Sequence, residues 1–64
     1  MVHINGKDEA VAGMLLKEYL DTNHYVPAGI AVECNEEILP KSQYDSYVLQ
    51  DDDVVEIVSF VGGG

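Results

Sequence analysis

The chain has 64 residues and a formal net charge of -9, from 12 acidic and 3 basic residues, and 47% of its residues are hydrophobic. This length fits one domain with a small core and leaves no walls for a deep catalytic pocket, so a self-contained enzyme is not expected. The acidic excess argues against nucleic acid or an anionic membrane as a partner and favours a protein with a basic surface.

The first half of the chain predicts a hairpin followed by a helix. Val2-His3-Ile4 alternates as in a half-buried strand, and Asn5-Gly6 is typical of a type I′ turn. A weak second strand is expected over residues 7–11, and Gly13 ends it. Residues 14–22 predict a helix with one apolar face, formed by Leu15, Leu16, Tyr19 and Leu20.

The second half predicts three more strands, over residues 30–34, 38–39 and 54–61. Pro40 ends the short strand because it cannot donate to a ladder. Residues 41–50 are expected to form an irregular polar connection, anchored by Tyr44 and Tyr47 as hydrophobic side chains. A turn over residues 50–53 then leads into the last strand, which is the longest and most β-prone run in the sequence.

This order of elements predicts an α+β domain, a mixed sheet with one main helix packed on one face. The first and last strands should be neighbours in the middle of the sheet because both are apolar. The arrangement is the β-grasp, or ubiquitin-like, architecture. We expect it to span residues 1–61, with residues 62–64 as a flexible C-terminal glycine tail.

The single cysteine, Cys34, indicates a fold without disulfides, as is usual in a reducing cytosol. Its parity with Ile30 and Val32 predicts a buried, inert thiol with a raised pKa, and a redox or sulfur-relay role is the alternative. The sequence shows no signal peptide and no membrane span, so a cytoplasmic protein is expected.

No metal site is expected. Asp51-Asp52-Asp53 lacks the spaced ligands and the distal glutamate of a calcium loop, so it predicts a solvated turn. His3 and His24 are far apart in the sequence, without ligand spacing around them, and are expected on the surface.

The glycine tail is the most informative feature. Gly62-Gly63-Gly64 has no side chain to obstruct a narrow tunnel, and we expect a free carboxylate at its end. A partner enzyme could adenylate that carboxylate with ATP, and a sulfur nucleophile could then attack the acyl-adenylate. The alternative is a disordered end without a role.

Four pieces of the sequence together resemble the ThiS family, the sulfur carriers of thiamine biosynthesis. They are Asn5-Gly6, Ala31-Val32 leading into Asn35-Glu36-Glu37-Ile38-Leu39-Pro40, Gln50-Asp51-Asp52-Asp53-Val54-Val55-Glu56-Ile57, and Phe60-Val61-Gly62-Gly63-Gly64. The resemblance covers nearly the whole chain. One departure is Asp52, which stands where the family often has glycine, and aspartate tolerates the left-handed geometry of that turn.

The resemblance implies a carrier that serves as a co-substrate, without catalytic residues or a bound cofactor of its own. Gly63 and Gly64 match the terminal pair of the family. The Gly64 carboxylate would be adenylated by an E1-like enzyme using ATP and converted to a thiocarboxylate. A sulfur donor such as a cysteine desulfurase would supply the sulfur, and thiazole synthase would receive it. Gly62 and Gly63 would form the arm.

Three other functions remain open on these grounds. The small subunit of molybdopterin synthase is also a β-grasp protein that ends in two glycines, although its chains are usually longer. A ubiquitin-like modifier would be conjugated to lysines. A plain interaction domain of the same fold would not need its tail.

The last strand also predicts a docking surface. Val54, Glu56, Val58 and Phe60 share one parity, and Glu56 marks that set as facing away from the helix. Val58 and Phe60 would then form an exposed apolar pair near the tail, with Phe60 as the anchor. Among acids expected near the tail, Glu56 first and residues 51–53 next should pair with basic residues of the activating enzyme.

Overall fold

The computed structural model describes residues 1–60. The elements, in chain order, are β1 (Val2–Ile4), β2 (Lys7–Glu9), α1 (Leu16–Thr22), β3 (Ile30–Cys34), β4 (Glu37–Leu39) and β5 (Val54–Ser59). Short 3-10 helices, Pro27–Gly29 and Lys41–Gln43, lie within two of the connections. The predicted tail, Gly62, Gly63 and Gly64, and the predicted last strand residue Val61 lie outside the described residues.

The five strands form one sheet in the order β2-β1-β5-β3-β4. β1 and β5 are parallel, and the other neighbouring pairs are antiparallel. The first and last strands are therefore neighbours, and β5 is central, as their apolar sequences predicted. The prediction of a mixed β-grasp sheet with one main helix is confirmed.

The core lies between α1 and one face of this sheet. Leu16, Tyr19 and Leu20 of the helix are buried against inward-facing strand residues. Those strand residues are Val2, Ile4, Ile30, Val32, Cys34, Val55 and Ile57. Because side chains alternate along a strand, the other residues of each strand point to the opposite face, which α1 does not cover.

The helix begins later than predicted, at Leu16 instead of residue 14. The backbone of Met14 accepts a hydrogen bond from the N–H of Leu49 at 2.8 Å, which ties this segment to the long connection. Leu15 is extended and caps the helix, and its N–H donates to the Glu18 carboxylate at 3.2 Å. Tertiary pairing thus overrides the helical pattern of the sequence at these two positions.

Two predicted strands are also shorter in the structure. β2 ends at Glu9, which pairs with Val2, because β1 offers no residue farther along. β5 ends at Ser59, which pairs with Ile30, the first residue of β3. Phe60 still donates its N–H to the Gly29 carbonyl at 3.0 Å.

The turn chemistry read from the sequence is confirmed. Asn5 and Gly6 have φ angles of 50° and 81°, as a type I′ turn requires. Asp52 has a φ of 70°, so the aspartate adopts the left-handed conformation expected of it. Within residues 1–60, no helix has the length and apolar character needed to cross a membrane.

Candidate functional site

The approach to the tail is set by β5, although the tail residues themselves are not described. β5 pairs with β3 up to Ser59, and the backbone of Phe60 continues that pairing through Gly29. The main chain is therefore held in the sheet to within four residues of Gly64. The roles predicted for Gly62, Gly63 and Gly64 stay predictions.

The predicted facing of β5 is confirmed. Val55 and Ile57 are buried towards the helix, whereas Val58 and Phe60 are 58% and 60% exposed on the opposite side. Glu56 precedes Val58 on the same side of the strand and is also exposed. We name this side of the sheet the open face. Its role in docking stays a prediction.

The strand register adds residues to the open face that the sequence did not indicate. Glu33 lies directly opposite Glu56 and Ala31 directly opposite Val58 on β3. On β4, Ile38 lies opposite Glu33 and is 76% exposed. Each of these residues alternates correctly within its own strand, but only the register between strands places them beside β5.

The centre of the open face carries two carboxylates of like charge on neighbouring strands. Directly opposed residues in an antiparallel pair have Cβ atoms about 5 Å apart, and like charges there destabilise the sheet. None of the ion pairs formed among residues 1–60 involves Glu33 or Glu56. A basic side chain of a partner would relieve this repulsion, so the face is suited to a cationic surface.

Lys41 lies at the Phe60 end of the open face. Its ammonium donates to the Ile30 carbonyl at 2.9 Å and lies 5.7 Å from the centre of the Phe60 ring. The backbone bond holds the cation over the aromatic ring, at a distance where the two attract each other. The side chain of Phe60 is therefore restrained while most of it remains exposed.

The acids of residues 51–53, which were predicted near the tail, lie at the start of β5, and their position relative to the tail stays a prediction because the tail lies outside the described residues. They precede β5, and Phe60 follows it, so the whole strand of about 20 Å separates them. Asp51 pairs with the N-terminal ammonium of Met1, which lowers the pKa of its carboxyl. Asp53 is only 7% exposed, so its side chain is buried and not solvated as the sequence predicted.

Asp53 is instead the centre of a partly buried polar network. Its carboxylate accepts hydrogen bonds from the Tyr47 hydroxyl at 2.6 Å, the Asn35 amide at 3.0 Å and the Gln50 N–H at 3.0 Å. Burial alone would raise the pKa of this carboxyl, but the donors stabilise the charged form, and the pKa is lowered. The network joins the turn after β3 to the turn before β5.

Cys34 is buried, as predicted, and belongs to the same network. Its Sγ atom lies 3.1 Å from the Tyr47 hydroxyl, and burial raises the pKa of the thiol. Tyr47 is half-buried and hydrogen-bonded, so it is more than the hydrophobic anchor that was predicted, whereas Tyr44 is fully buried as an anchor. A thiol with a raised pKa is a poor nucleophile, which supports the packing role of Cys34.

A cavity of about 330 Å³ lies beside this network, lined in part by Cys34, Asn35, Gln43 and Tyr47. In the part of the chain that the structure describes, no three His, Cys, Asp or Glu side chains could together hold a metal ion. His3 pairs with Asp8 at 2.5 Å in the β1–β2 hairpin, and His24 is exposed after the helix.

Comparison with known proteins agrees with this fold. The Bacillus subtilis protein named sulfur carrier protein ThiS is 41% identical over 70 residues, with 100% of both chains covered. A crystal structure of the thiamine biosynthesis protein ThiS from Geobacter metallireducens matches with a TM-score of 0.73 and 33% identity, over 98% of this chain and 97% of that chain.

A thiazole synthase of Magnetococcus marinus is 39% identical over 64 residues, covering 98% of this chain and 20% of that protein. The chain thus spans about a fifth of the length of this relative. The family model described as the ThiS family matches residues 2–64, a range that includes the three glycines. The chain belongs to the ThiS family.

Proposed function

We propose that this ThiS-family sulfur carrier for thiamine biosynthesis acts as a co-substrate through the α-carboxylate of Gly64. A carboxylate oxygen attacks the α-phosphorus of ATP on an E1-like enzyme, and pyrophosphate leaves. The terminal sulfur of a persulfide on a donor such as a cysteine desulfurase attacks the carbonyl carbon of the acyl-adenylate, and AMP leaves with the bonding electron pair. A thiol then reduces the resulting acyl disulfide by forming a disulfide with the donor cysteine, and the released product is a thiocarboxylate that thiazole synthase consumes.

The observation that carries this proposal is the extent of the family match. It covers residues 2–64, so the three glycines lie within the range that the family model matches. The full-length match to a protein named sulfur carrier protein ThiS supports the same function. In Magnetococcus marinus, a similar segment belongs to a protein named thiazole synthase, which favours that enzyme as the acceptor.

The open face supports docking on the activating enzyme. Val58 and Phe60 supply exposed apolar surface, and Glu33 and Glu56 supply negative charge without an internal counterion among residues 1–60. The four residues that follow Phe60, ending at Gly64, reach at most about 14 Å from the Phe60 Cα atom when extended. A partner that binds the ring of Phe60 must therefore hold the α-phosphate of ATP within about that distance of the Phe60 backbone.

The test is ATP–pyrophosphate exchange with the cognate adenylating enzyme. Deleting Gly64 should abolish exchange because it removes the reacting carboxylate from its position. Gly63→Val should give nearly the same loss, since a β-branched residue restricts the backbone and widens the arm. Val48→Ala is a suitable control because Val48 is exposed beside the helix N-terminus and away from the open face.

Exchange by the Gly64 deletion at the wild-type rate would show that Gly64 is not the reacting residue. Intact mass spectrometry of the protein from its native cell gives a second test. A carrier should show a population heavier by the difference between sulfur and oxygen. A modifier would instead show isopeptide-linked products on lysines, and this result would replace the carrier proposal.

A further inference from the structure

Two asparagines hold β5 from opposite sides, each from a tight turn. Asn5 follows β1 and Asn35 follows β3, and both have left-handed backbones, with φ angles of 50° and 54°. The Asn35 side-chain oxygen accepts from the N–H of Val54 at 2.9 Å, at the start of β5. The Asn5 side-chain oxygen accepts from the N–H of Ile57 at 2.7 Å, closer to the end of the strand.

The Asn5 side chain takes the place of a strand that has already ended. β1 pairs with β5 only as far as Val55, and the N–H of Asn5 donates to the Val55 carbonyl at 3.0 Å. The Asn5 amide then both accepts from the Ile57 N–H and donates to the Ile57 carbonyl, the latter at 3.2 Å. One side chain thus supplies the donor and the acceptor that a continued β1 would have supplied.

On the β1 side, the hydrogen bonds of Asn5 are also the last that the described residues make to β5. On the β3 side, pairing continues to Ser59 and through Gly29 to Phe60. On the β1 side, the described residues provide no strand partner beyond Val55. Without the Asn5 amide, β5 would be held along one edge only from Ile57 onwards. Gly64 lies seven residues beyond Ile57.

We propose that Asn5 is a positioning residue for the reaction at Gly64, because its amide fixes the direction in which β5 leaves the sheet. This inference rests on the proposed function. Adenylation requires the carboxylate oxygen and the α-phosphorus of ATP to be held about 3 Å apart and aligned, and a misplacement of about 1 Å can slow such a step by as much as a hundredfold. When β5 is held on both edges, the chain that leads to the Gly64 carboxylate should leave β5 with less variation in direction than when β5 is held on one edge.

The test compares Asn5→Gly with Asn35→Gly in the full chain. Glycine keeps the positive φ angle at either position, so each variant removes side-chain bonds without adding backbone strain. Initial rates of ATP–pyrophosphate exchange are measured against carrier concentration with the cognate adenylating enzyme. Hydrogen exchange of the Ile57 amide is followed in parallel, since it reports the hydrogen bond to the Asn5 side chain independently of activity.

For Asn5→Gly, we expect kcat to fall about tenfold. KM for the carrier should change less than about twofold, because the substitution leaves every residue of the open face in place. The Ile57 amide should exchange faster. Asn35→Gly should keep its kcat within about twofold of wild type, although Asn35 makes more bonds than Asn5 does. Asn5→Asp keeps the acceptor for the Ile57 N–H, and its kcat should lie between those of wild type and Asn5→Gly.

Equal kcat values for wild type and Asn5→Gly would overturn the inference, and so would an equal loss in both glycine variants, which would indicate a general effect on stability. If Asn5→Gly does not fold, Asn5→Asp decides the question by the same comparison with Asn35→Gly. A wild-type chain that supports no exchange would refute the proposed function. In that case an unchanged hydrogen-exchange rate of the Ile57 amide in Asn5→Gly would still show that the Asn5 side chain does not hold β5.

Discussion

Replacing Asp53 with asparagine tests whether the polar network before β5 stabilises the fold. The carboxylate accepts three hydrogen bonds, from the side chains of Tyr47 and Asn35 and from the N–H of Gln50. An asparagine has one acceptor oxygen, and its NH₂ group must face at least one of these donors. We therefore expect Asp53→Asn to leave about one buried donor unsatisfied and to cost about 2 kcal/mol.

That loss would be large for so small a domain. At about 0.05–0.15 kcal/mol per residue, a chain of this length has about 3–10 kcal/mol of stability. Urea unfolding followed by far-UV circular dichroism measures the effect. With an m-value of about 1 kcal/mol/M, the midpoint should fall by about 2 M. Asp52→Asn is the matched control, because Asp52 is exposed in the same turn and asparagine also tolerates its positive φ.

The pH dependence of this loss supplies a second check. The folded-state pKa of Asp53 is lowered from the ordinary 3.8, so its contribution to stability is present above that value and is lost as the pH falls through the folded pKa. The difference between wild type and Asp53→Asn should therefore be constant from pH 7 to about 5 and shrink at lower pH. A difference that is negligible at pH 7, or unchanged down to pH 3, would refute this account of the network.

Two other predictions concern the open face. Phe60→Ala should weaken binding to the activating enzyme by about 2 kcal/mol with little loss of folding stability, because the ring is mostly exposed. Isothermal titration and urea unfolding measure the two effects, and an unfolded variant would instead place Phe60 in the core. Association should also slow as salt rises, since the Debye length shrinks from about 10 Å at 0.1 M to about 3 Å at 1 M. A stopped-flow on-rate independent of salt would leave the acids as a solubility device.

The strands, their facing and the fold class could be predicted because each is a local property of the sequence. Alternation in residues 30–34 and in β5 identifies which side chains face the helix, and Asn5-Gly6 specifies its own turn. The ends of the elements were less predictable. The start of α1 depends on the pairing of Met14 with Leu49. Neither the sequence around Met14 nor that around Leu49 indicates this pairing on its own.

The site was predictable only in part, for a similar reason. Val58, Phe60 and Glu56 lie on one strand, so parity alone places them together. Glu33, Ile38 and Lys41 join them through register and through the path of a connection, which no single segment determines. The burial of Asp53 was missed because three consecutive aspartates are typical of a solvent-exposed turn. Its partners Asn35 and Tyr47 come from other parts of the chain.

The fold separates the bonds that stabilise it from the surface that it presents. At the start of β5, Asp53 ties together residues from two turns and from the connection between them. At the other end of the same strand, Val58 and Phe60 are exposed, and one side chain, Asn5, replaces the missing partner on the β1 side. Because β5, about 20 Å long, separates the two ends, substitutions at one end should act independently of those at the other. Substitutions on the open face should therefore change docking while the domain stays folded, as the proposed transfer between an activating enzyme and an acceptor would require.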